Sequence, residues 1–356
     1  MKGLISAVTS SKRLSKTAAL ACLGLSGLAL SSTTLAEQTL NLYNWGDYIN
    51  PEVIERFTAE TGIKVTLDTY SSNEEMLAKL QAGATGYDII FPSVHMQDVM
   101  TSLNMLEKTN INKAPGFENI LKDHLIAESD PKGEYCLPYA WGSVGIVYNK
   151  KLVPELNSWQ EFFALPSQGK KITLLDDMRE DIGIGLIMNG KNVNSTDSQD
   201  LKAAQQFLLD QKPNISALTY DTIPMVQSGD IAAGHYYVGA MMYVNEDPDT
   251  LAYVIPKEGA TMYQEDMCVL KSAPNKSNAR KFMEFFLQPE ISAMNTIQQT
   301  NGSVNKAAIS LLPAAMRDNP NMNPPVETME KLQVFKDLGK GIKLYDRVWT
   351  KFRTAS

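Results

Sequence analysis

Histidine and cysteine are scarce in this 356-residue chain, at three of each. His95, His124 and His235 are scattered and no cysteine stands near them, so the sequence offers no metal-ligand spacing. Phosphate-binding glycine patterns are missing as well. There is no P-loop and no G-x-G-x-x-G, and Gly183-Ile184-Gly185 lies inside a helix-like run. No G-x-S-x-G elbow, H-E-x-x-H or EF-hand loop occurs. These absences remove the usual handles of nucleotide, hydrolase, metalloprotease and calcium chemistry, without excluding an enzyme. Positive charge is also in deficit, with 33 Lys and Arg against 40 Asp and Glu and a formal net charge of −7. Such a chain argues against a nucleic-acid partner and favours cations. Beyond residue 36 no apolar run is long enough to cross a bilayer.

The N-terminus departs from this composition. Lys2, Lys12, Arg13 and Lys16 form a basic region with no acid, and residues 17–30 are an apolar stretch too short for a span. Thr34-Leu35-Ala36 then supplies small residues at a cleavage site, so residues 1–36 read as a secretory signal and Glu37 as the mature start. The mature chain is expected to be exported and soluble, and more acidic by the four basic residues removed. Cys22 raises a lipid anchor, but most of the apolar stretch follows it, which favours its loss with the signal. Cys136 and Cys268 remain, in an oxidising compartment where a disulfide persists. Sequence does not set their separation, so their bonding stays open; extended flanks at 135–138 and 267–270 are compatible with adjacent crossover strands.

The N-terminal third of the mature chain alternates strand and helix. Leu40, Leu42 and Tyr43 mark a strand, and Asn50-Pro51 an N-cap and first helical position. Val53, Ile54 and Phe57 give that helix an apolar face, and Gly62 stops it. Ile63, Val65 and Leu67 alternate as a strand, and Ser72-x-x-Glu75 is a capping box for a helix ending at Gly83. Residues 87–91 form a short buried strand, followed by Pro92-Ser93 and another helix-like segment. This βαβαβ order predicts a doubly wound parallel sheet.

A second such region starts near Tyr139, with strands at 144–148, 172–175, 231–237 and 251–255. Helices are expected after Ser158-x-x-Glu161 and at 199–209, 278–287 and 289–299, and an extended run at 267–270. The tail holds a proline-rich bend at 320–325 and two helical stretches with Leu332 and Trp349. With no repeat and no low-complexity linker, the expected architecture is two α/β lobes with a hinge and a cleft. Their bounds are read as 37–140 plus 267–320 and 141–266 plus 321–356.

Chemistry-bearing residues gather at predicted strand ends, where ligands bind in open α/β sheets. Trp45, Asp47 and Tyr48 place an indole, a carboxylate and a phenol within four residues. The cluster suits a cation with apolar parts, since rings attract charge and cover methylenes while the carboxylate accepts hydrogen bonds. A turn whose tryptophan caps the core is the plain alternative. His235-Tyr236-Tyr237 and Met262-Tyr263-Gln264-Glu265-Asp266 read as further strand-end groups, the second repeating the aromatic-then-acid order. Asp177 and Glu180, at the start of a helix that follows a strand, lie i, i+3 on one face. First-turn acids also suit the helix dipole with no ligand at all. A carboxylate pair equally suits glycoside hydrolysis, which keeps a secreted hydrolase open. His95, after Pro92-Ser93, is the one histidine near a predicted ligand edge.

Five segments in one order carry a family resemblance: Tyr43-Asn44-Trp45-Gly46-Asp47-Tyr48, Glu60-Thr61-Gly62-Ile63-Lys64-Val65, Tyr87-Asp88-Ile89-Ile90-Phe91-Pro92-Ser93, Leu137-Pro138-Tyr139-Ala140-Trp141-Gly142 and Pro256-Lys257-Glu258-Gly259. From about residue 39 to the C-terminus the chain resembles the spermidine/putrescine-binding proteins of bacterial polyamine ABC transporters. The resemblance implies a two-lobed periplasmic-binding-protein fold, each lobe a doubly wound α/β sheet, with a cleft that closes over an extended polyamine. It also implies a membrane permease as partner, and neither cofactor nor catalysis.

Carried over by position, Trp45, Asp47 and Tyr48 match the first-lobe wall, Ser93 the serine of the Pro-Ser turn, and Asp177 and Glu180 the acids that hold amino groups. Tyr237 stands where the family has tryptophan, Tyr263 at another aromatic position, and Glu265 where an aspartate grips an amine. His95 replaces a tyrosine of spermidine binders, Asn301 a pocket tyrosine, and Ala240 an aspartate of putrescine-preferring members. Some relatives report polyamines to membrane-bound receptors, including receptors that control cyclic-di-GMP, so a sensor role is the alternative within the same class. The residues agree with the resemblance on physical grounds. Polyamine charges stand about 5–6 Å apart along an alkyl chain, which calls for spaced acids with rings between them.

Overall fold

Asn50 and Gly62 bracket the first helix as their chemistry requires. The computed structural model describes residues 38–355, so the stretch read as a secretory signal, with Cys22, lies outside the described residues. Helix α1 runs Pro51–Thr61; the Asn50 side chain accepts from the Glu52 N–H, and Gly62, at φ 71°, turns its N–H to the Thr58 carbonyl. Strand β1 (Thr39–Trp45) lies parallel to β2 (Lys64–Tyr70) and β3 (Ile89–Ile90), with α1 and α2 (Asn73–Gln81) as the crossovers. The α2 box is offset by one residue. Ser72 accepts from the Glu75 N–H, but the Glu75 carboxylate turns to the N–H and hydroxyl of Ser71. Helix α3 (Val94–Ser102) follows β3 and completes the parallel unit.

The chain continues through β4 (Cys136–Asn149), α4 (Trp159–Ala164), β5 (Ile172–Leu174), α5 (Met178–Met188), α6 (Ser198–Gln211) and β6 (Ile215–Leu218). Then come α7 (Thr222–Ser228), β7 (Ala233–Tyr237), β8 (Leu251–Val254), β9 (Ala260–Val269), α8 (Lys276–Phe286), α9 (Pro289–Gln299), β10 (Leu332–Val334) and a C-terminal helix, Ile342–Thr354. Sheet order is β2-β1-β3-β9-β4-β7-β5-β6. Both lobes are wound on this one sheet, and the antiparallel pair β4–β9 runs between them.

The lobes have separate cores. Tyr43, Phe57, Phe91 and Phe282 belong to the first, and Trp159, Phe162, Leu174, Leu186 and Phe352 to the second. A smaller cluster joins Val226, Met241 and Tyr253 to Leu312 and Met316. No helix among the described residues is long and apolar enough to cross a membrane.

Two sequence expectations change. The stretch with Leu332 was expected to be helical but is β10, paired parallel with Ala260–Met262 of β9. That end of β9 would otherwise present unpaired backbone groups along one edge, and β10 covers it. The group at 262–266 is not at a strand end. It sits inside β9, which starts seven residues before the expected run. The length of β4 is hidden in the same way: Pro138, Gly142 and Gly145 interrupt its apolar pattern between the extended flank at 135–138 and the strand at 144–148. Pro138 lies at a register shift, and a Cβ at Gly142 would stand 2.5 Å from the Tyr263 hydroxyl oxygen.

Cys136 and Cys268 face each other across β4 and β9, with Cα atoms 4.5 Å apart, and are disulfide-bonded. The bond closes a sequence separation of 132 residues and is buried, at 1% and 0% exposure. Chain-entropy reasoning gives a loop of this size about 5 kcal/mol of stabilisation. The mature protein, denatured without reductant, should therefore show no labelled thiol, and reduction should lower its melting temperature by several degrees. Two reactive cysteines in the unreduced sample would contradict the pairing.

Candidate functional site

Thr261, Tyr263 and Glu265 alternate along β9 and so share one face, the two ends of the trio lying roughly 14 Å apart at strand pitch. Gln264 and Asp266 point the other way, into a buried network. Gln264 Nε2 donates to the His124 carbonyl and to Asp266 Oδ1, and Gln264 Oε1 lies 2.8 Å from His124 Nδ1. The face that bears Glu265 is the one that meets both lobes.

At one end Glu265, 5% exposed, accepts from the Tyr48 hydroxyl at 2.8 Å and from Ser93 Oγ at 3.1 Å. Ser93 is fixed in turn by Asn73, which bonds its hydroxyl at 3.1 Å and its N–H at 3.2 Å. The Tyr48 backbone is held by donation from the Tyr139 hydroxyl and from Asn44 Nδ2 to its carbonyl. Burial pushes the Glu265 carboxyl up to about 8, against the pull of its hydrogen bonds from Tyr48 and Ser93. Trp45 lies beside this end. Its Nε1 donates to the Phe91 carbonyl, which also receives the Tyr70 hydroxyl, and its ring packs on Tyr70 at 4.8 Å.

In the middle, Tyr263 meets Tyr237, the last residue of β7, edge to face at 5.6 Å. At the other end Asp177 is the N-cap of α5, with Oδ1 accepting the N–H groups of Arg179 and Glu180 at 2.9 and 3.0 Å. Its second oxygen receives the Tyr220 hydroxyl at 3.4 Å. Glu180, 4% exposed, accepts from Thr261 Oγ1. Burial, reinforced by the charge of Asp177, pushes its carboxyl up to about 8. The two ends thus mirror each other: one desolvated carboxyl each, with hydroxyl donors and rings beside it.

Of the ten residues singled out in the sequence, Tyr48, Ser93 and Glu265 meet by direct hydrogen bonds, Tyr237 and Tyr263 by their rings, and Asp177 and Glu180 at one helix start. Trp45 joins through Phe91 and Tyr70. Asp47 does not join; it is exposed at φ 52° and makes no hydrogen bond or ion pair among the described residues. His95 sits in the first turn of α3. Burial and then the nearby Arg179 charge pull its imidazole down to about 4, with Asp337 opposing. Sequence reading missed Thr261, Tyr220, Tyr70 and Asn73. Thr261 is implied by its i, i+2, i+4 spacing with Tyr263 and Glu265 once β9 is read as one strand. The others come from distant segments and carry no local signal.

Among the described residues no group of three or more His, Cys, Asp or Glu is set to hold a metal ion. The site is built to receive positive charge. Each buried carboxyl is costly to ionise alone and is relieved when a cation supplies its partner. The hydroxyl and backbone donors around Asp177 tie that acid to the helix start.

The bacterial extracellular solute-binding protein family matches residues 52–324. The chain is similar to the putrescine-binding periplasmic protein SpuD of Pseudomonas aeruginosa, 34% identical over 96% of this chain and 99% of that protein. It is similar also to the spermidine/putrescine-binding periplasmic protein of Escherichia coli, 31% identical over 88% of this chain and 91% of the other. Among solved structures, the spermidine/putrescine ABC transporter substrate-binding protein PotD from Streptococcus pneumoniae superposes with a TM-score of 0.82. It is 34% identical and covers 89% of this chain and 99% of its own. A two-lobed solute-binding fold and a family-matched length thus converge, and the chain belongs to the bacterial extracellular solute-binding proteins.

Proposed function

We propose that this chain is a periplasmic polyamine-binding protein that delivers spermidine- or putrescine-like ligands to the membrane permease of an ABC importer. The observation that supports it most is the pair of buried carboxyls, Glu265 and Glu180, at the two ends of the β9 face with Tyr263 and Tyr237 between them. An alkyl chain with an ammonium group at each end matches that pattern, the charges going to the acids and the methylenes to the rings. We assign Trp45, Asp47, Tyr48, Ser93, His95, Asp177, Glu180, Tyr237, Tyr263 and Glu265 to the ligand-contacting set. The family is one of solute-binding proteins rather than enzymes, and the two relatives described above are named for putrescine and for spermidine/putrescine. Closure follows the usual logic: a ligand that bridges two lobes stabilises the closed state by its differential affinity.

Putrescine or spermidine should raise the melting temperature, whereas lysine and arginine, whose α-carboxylates would meet these acids, should not. A panel in which only sugars or amino acids stabilise the protein would overturn the reading. Losing one partner of a buried charge pair costs about 2–5 kcal/mol. Glu180→Gln and Glu265→Gln should therefore each weaken polyamine binding by at least about tenfold. Calorimetry on a folded variant with unchanged affinity would remove that residue from the site.

The raised carboxyls also set a pH dependence. In the ligand-free protein both are largely protonated below about 8. An ammonium group demands the ionised form, so binding near neutral pH should release protons, and affinity should rise with pH up to about 8. Calorimetry in two buffers of different ionisation enthalpy should differ; identical heats would contradict this.

Stability runs the opposite way. The folded state holds these protons more tightly than the unfolded one, whose ordinary value is 4.5. Ligand-free stability should therefore fall as pH climbs from about 4.5 to about 8, and either glutamine variant should flatten the fall.

A further inference from the structure

Behind Glu180 lies a buried imidazole to which the ligand reading assigns no part. His235 in β7 and Asp181 in α5 are both 0% exposed. His235 Nε2 stands 3.8 Å from Glu180 Oε2, and its Nδ1 3.5 Å from Asp181 Oδ1. Both gaps exceed a hydrogen bond. Both His235 nitrogens and both Asp181 oxygens are buried without a partner. Proteins pair nearly all such atoms, so four orphans at one point behind a ligand-binding acid ask for a state in which they are satisfied.

The surroundings restrict what that state is. Trp159 of α4 sets its ring edge-on to the imidazole at 5.3 Å, and the strand partners of this stretch are Ile146 in β4 and Thr173 in β5, beside Gly234. The charged groups that face His235 are Glu180 and Asp181 of α5. Lys212 and the acids Asp176 and Asp177 act on Asp181 from further off, and Tyr253 lies within the field of Glu180. Burial pulls the imidazole down to about 3 and pushes both acids up, so the trio is uncharged before ligand arrives. Once Glu180 becomes a carboxylate while Asp181 keeps its proton, a neutral imidazole between them has one self-consistent arrangement: Nδ1 accepts from the Asp181 carboxyl, and Nε2–H donates to the Glu180 carboxylate.

We propose that His235 is the positioning residue for Glu180: when an ammonium group draws Glu180 into its carboxylate form, Nε2–H of His235 closes onto Oε2 while protonated Asp181 donates to Nδ1. The ammonium keeps its own protons, and the one proton released by Glu180 leaves to solvent. The inference rests on the polyamine reading of the Glu180 end. It gives Glu180 a second donor besides Thr261, on the side away from the ligand, and so eases its ionisation.

The test is titration calorimetry of the mature protein with putrescine and with spermidine across pH 6–9. A hydrogen bond to a charged group is worth about tenfold or more in affinity. His235→Phe should weaken binding about tenfold at neutral pH and move the pH at which affinity rises upward. Asp181→Leu should do the same, and Asp181→Asn, which keeps a donor for Nδ1, should restore binding. In a Glu180→Gln background, His235→Phe should add nothing. Wild-type affinity and pH profile in His235→Phe would overturn the proposal, as would an undiminished loss in the Glu180→Gln background. If ligand-free melting shows that His235→Phe does not fold, the Asp181 pair decides: rescue by asparagine supports the proposal, and equal loss in both variants overturns it. Wild-type protein that binds no polyamine would instead sink the functional reading itself.

Discussion

Two carboxyl groups withdrawn from water at opposite ends of one strand face set the terms for everything around them. An isolated buried carboxylate is too costly to persist, so each acid is either protonated or matched by a cation. Hydroxyls from Tyr48 and Ser93 serve one end and Thr261 the other, and each can donate to an acid without fixing its charge. Rings rather than further acids occupy the space between. A site of this kind is poised to exchange protons for a cation, and that exchange is the energetic core of the proposed ligand capture.

The fold holds the two ends at a fixed separation because β9 is continuous between them. It is pinned to β4 by the disulfide near one end and covered by β10 at the other, so the interval from Thr261 to Glu265 is set by strand geometry rather than by loops. Gly142 leaves the room that the Tyr263 ring needs. The partners of the two acids come from different cores. Tyr48 and Ser93 follow β1 and β3, while Glu180 belongs to α5, whose Ile182 and Leu186 pack in the second core. A ligand held at both ends therefore ties together elements that are otherwise packed separately.

The sequence shows much of this where the signals are local. Asn50, Gly62 and Ser72 mark helix ends by side-chain and backbone chemistry, and the first βαβαβ unit follows from short alternating runs. Glu265 is legible as an acid in aromatic company, and Glu180 as one of an i, i+3 acid pair at a helix start. The full length of the crossovers is not, because Pro138, Gly142 and Gly145 interrupt the apolar pattern between the extended pieces that the sequence shows, and β10 forms only because β9 has an edge to fill. Asp47 differs from the other acids in its setting: its type and place beside Trp45 and Tyr48 suggest a ligand acid, and its backbone, at φ 52°, leaves it exposed rather than buried. Thr261 shows only as the i, i+2, i+4 companion of Tyr263 and Glu265 once β9 is read as one strand, and the place of His235 beside Glu180 and Asp181 depends on partners far away in sequence, which no window along the chain displays.

The most direct test of the central claim is the affinity of a homologous series of α,ω-diamines, from three to eight methylenes, for the wild-type protein and for Glu265→Gln. If one ligand spans both buried acids, wild-type affinity should pass through an optimum at the chain length that reaches from Glu180 to Glu265. The variant, left with one of the two buried carboxyls, should lose that optimum and bind all lengths weakly and alike. A wild-type profile with no dependence on length, or the same optimum surviving in Glu265→Gln, would contradict the account.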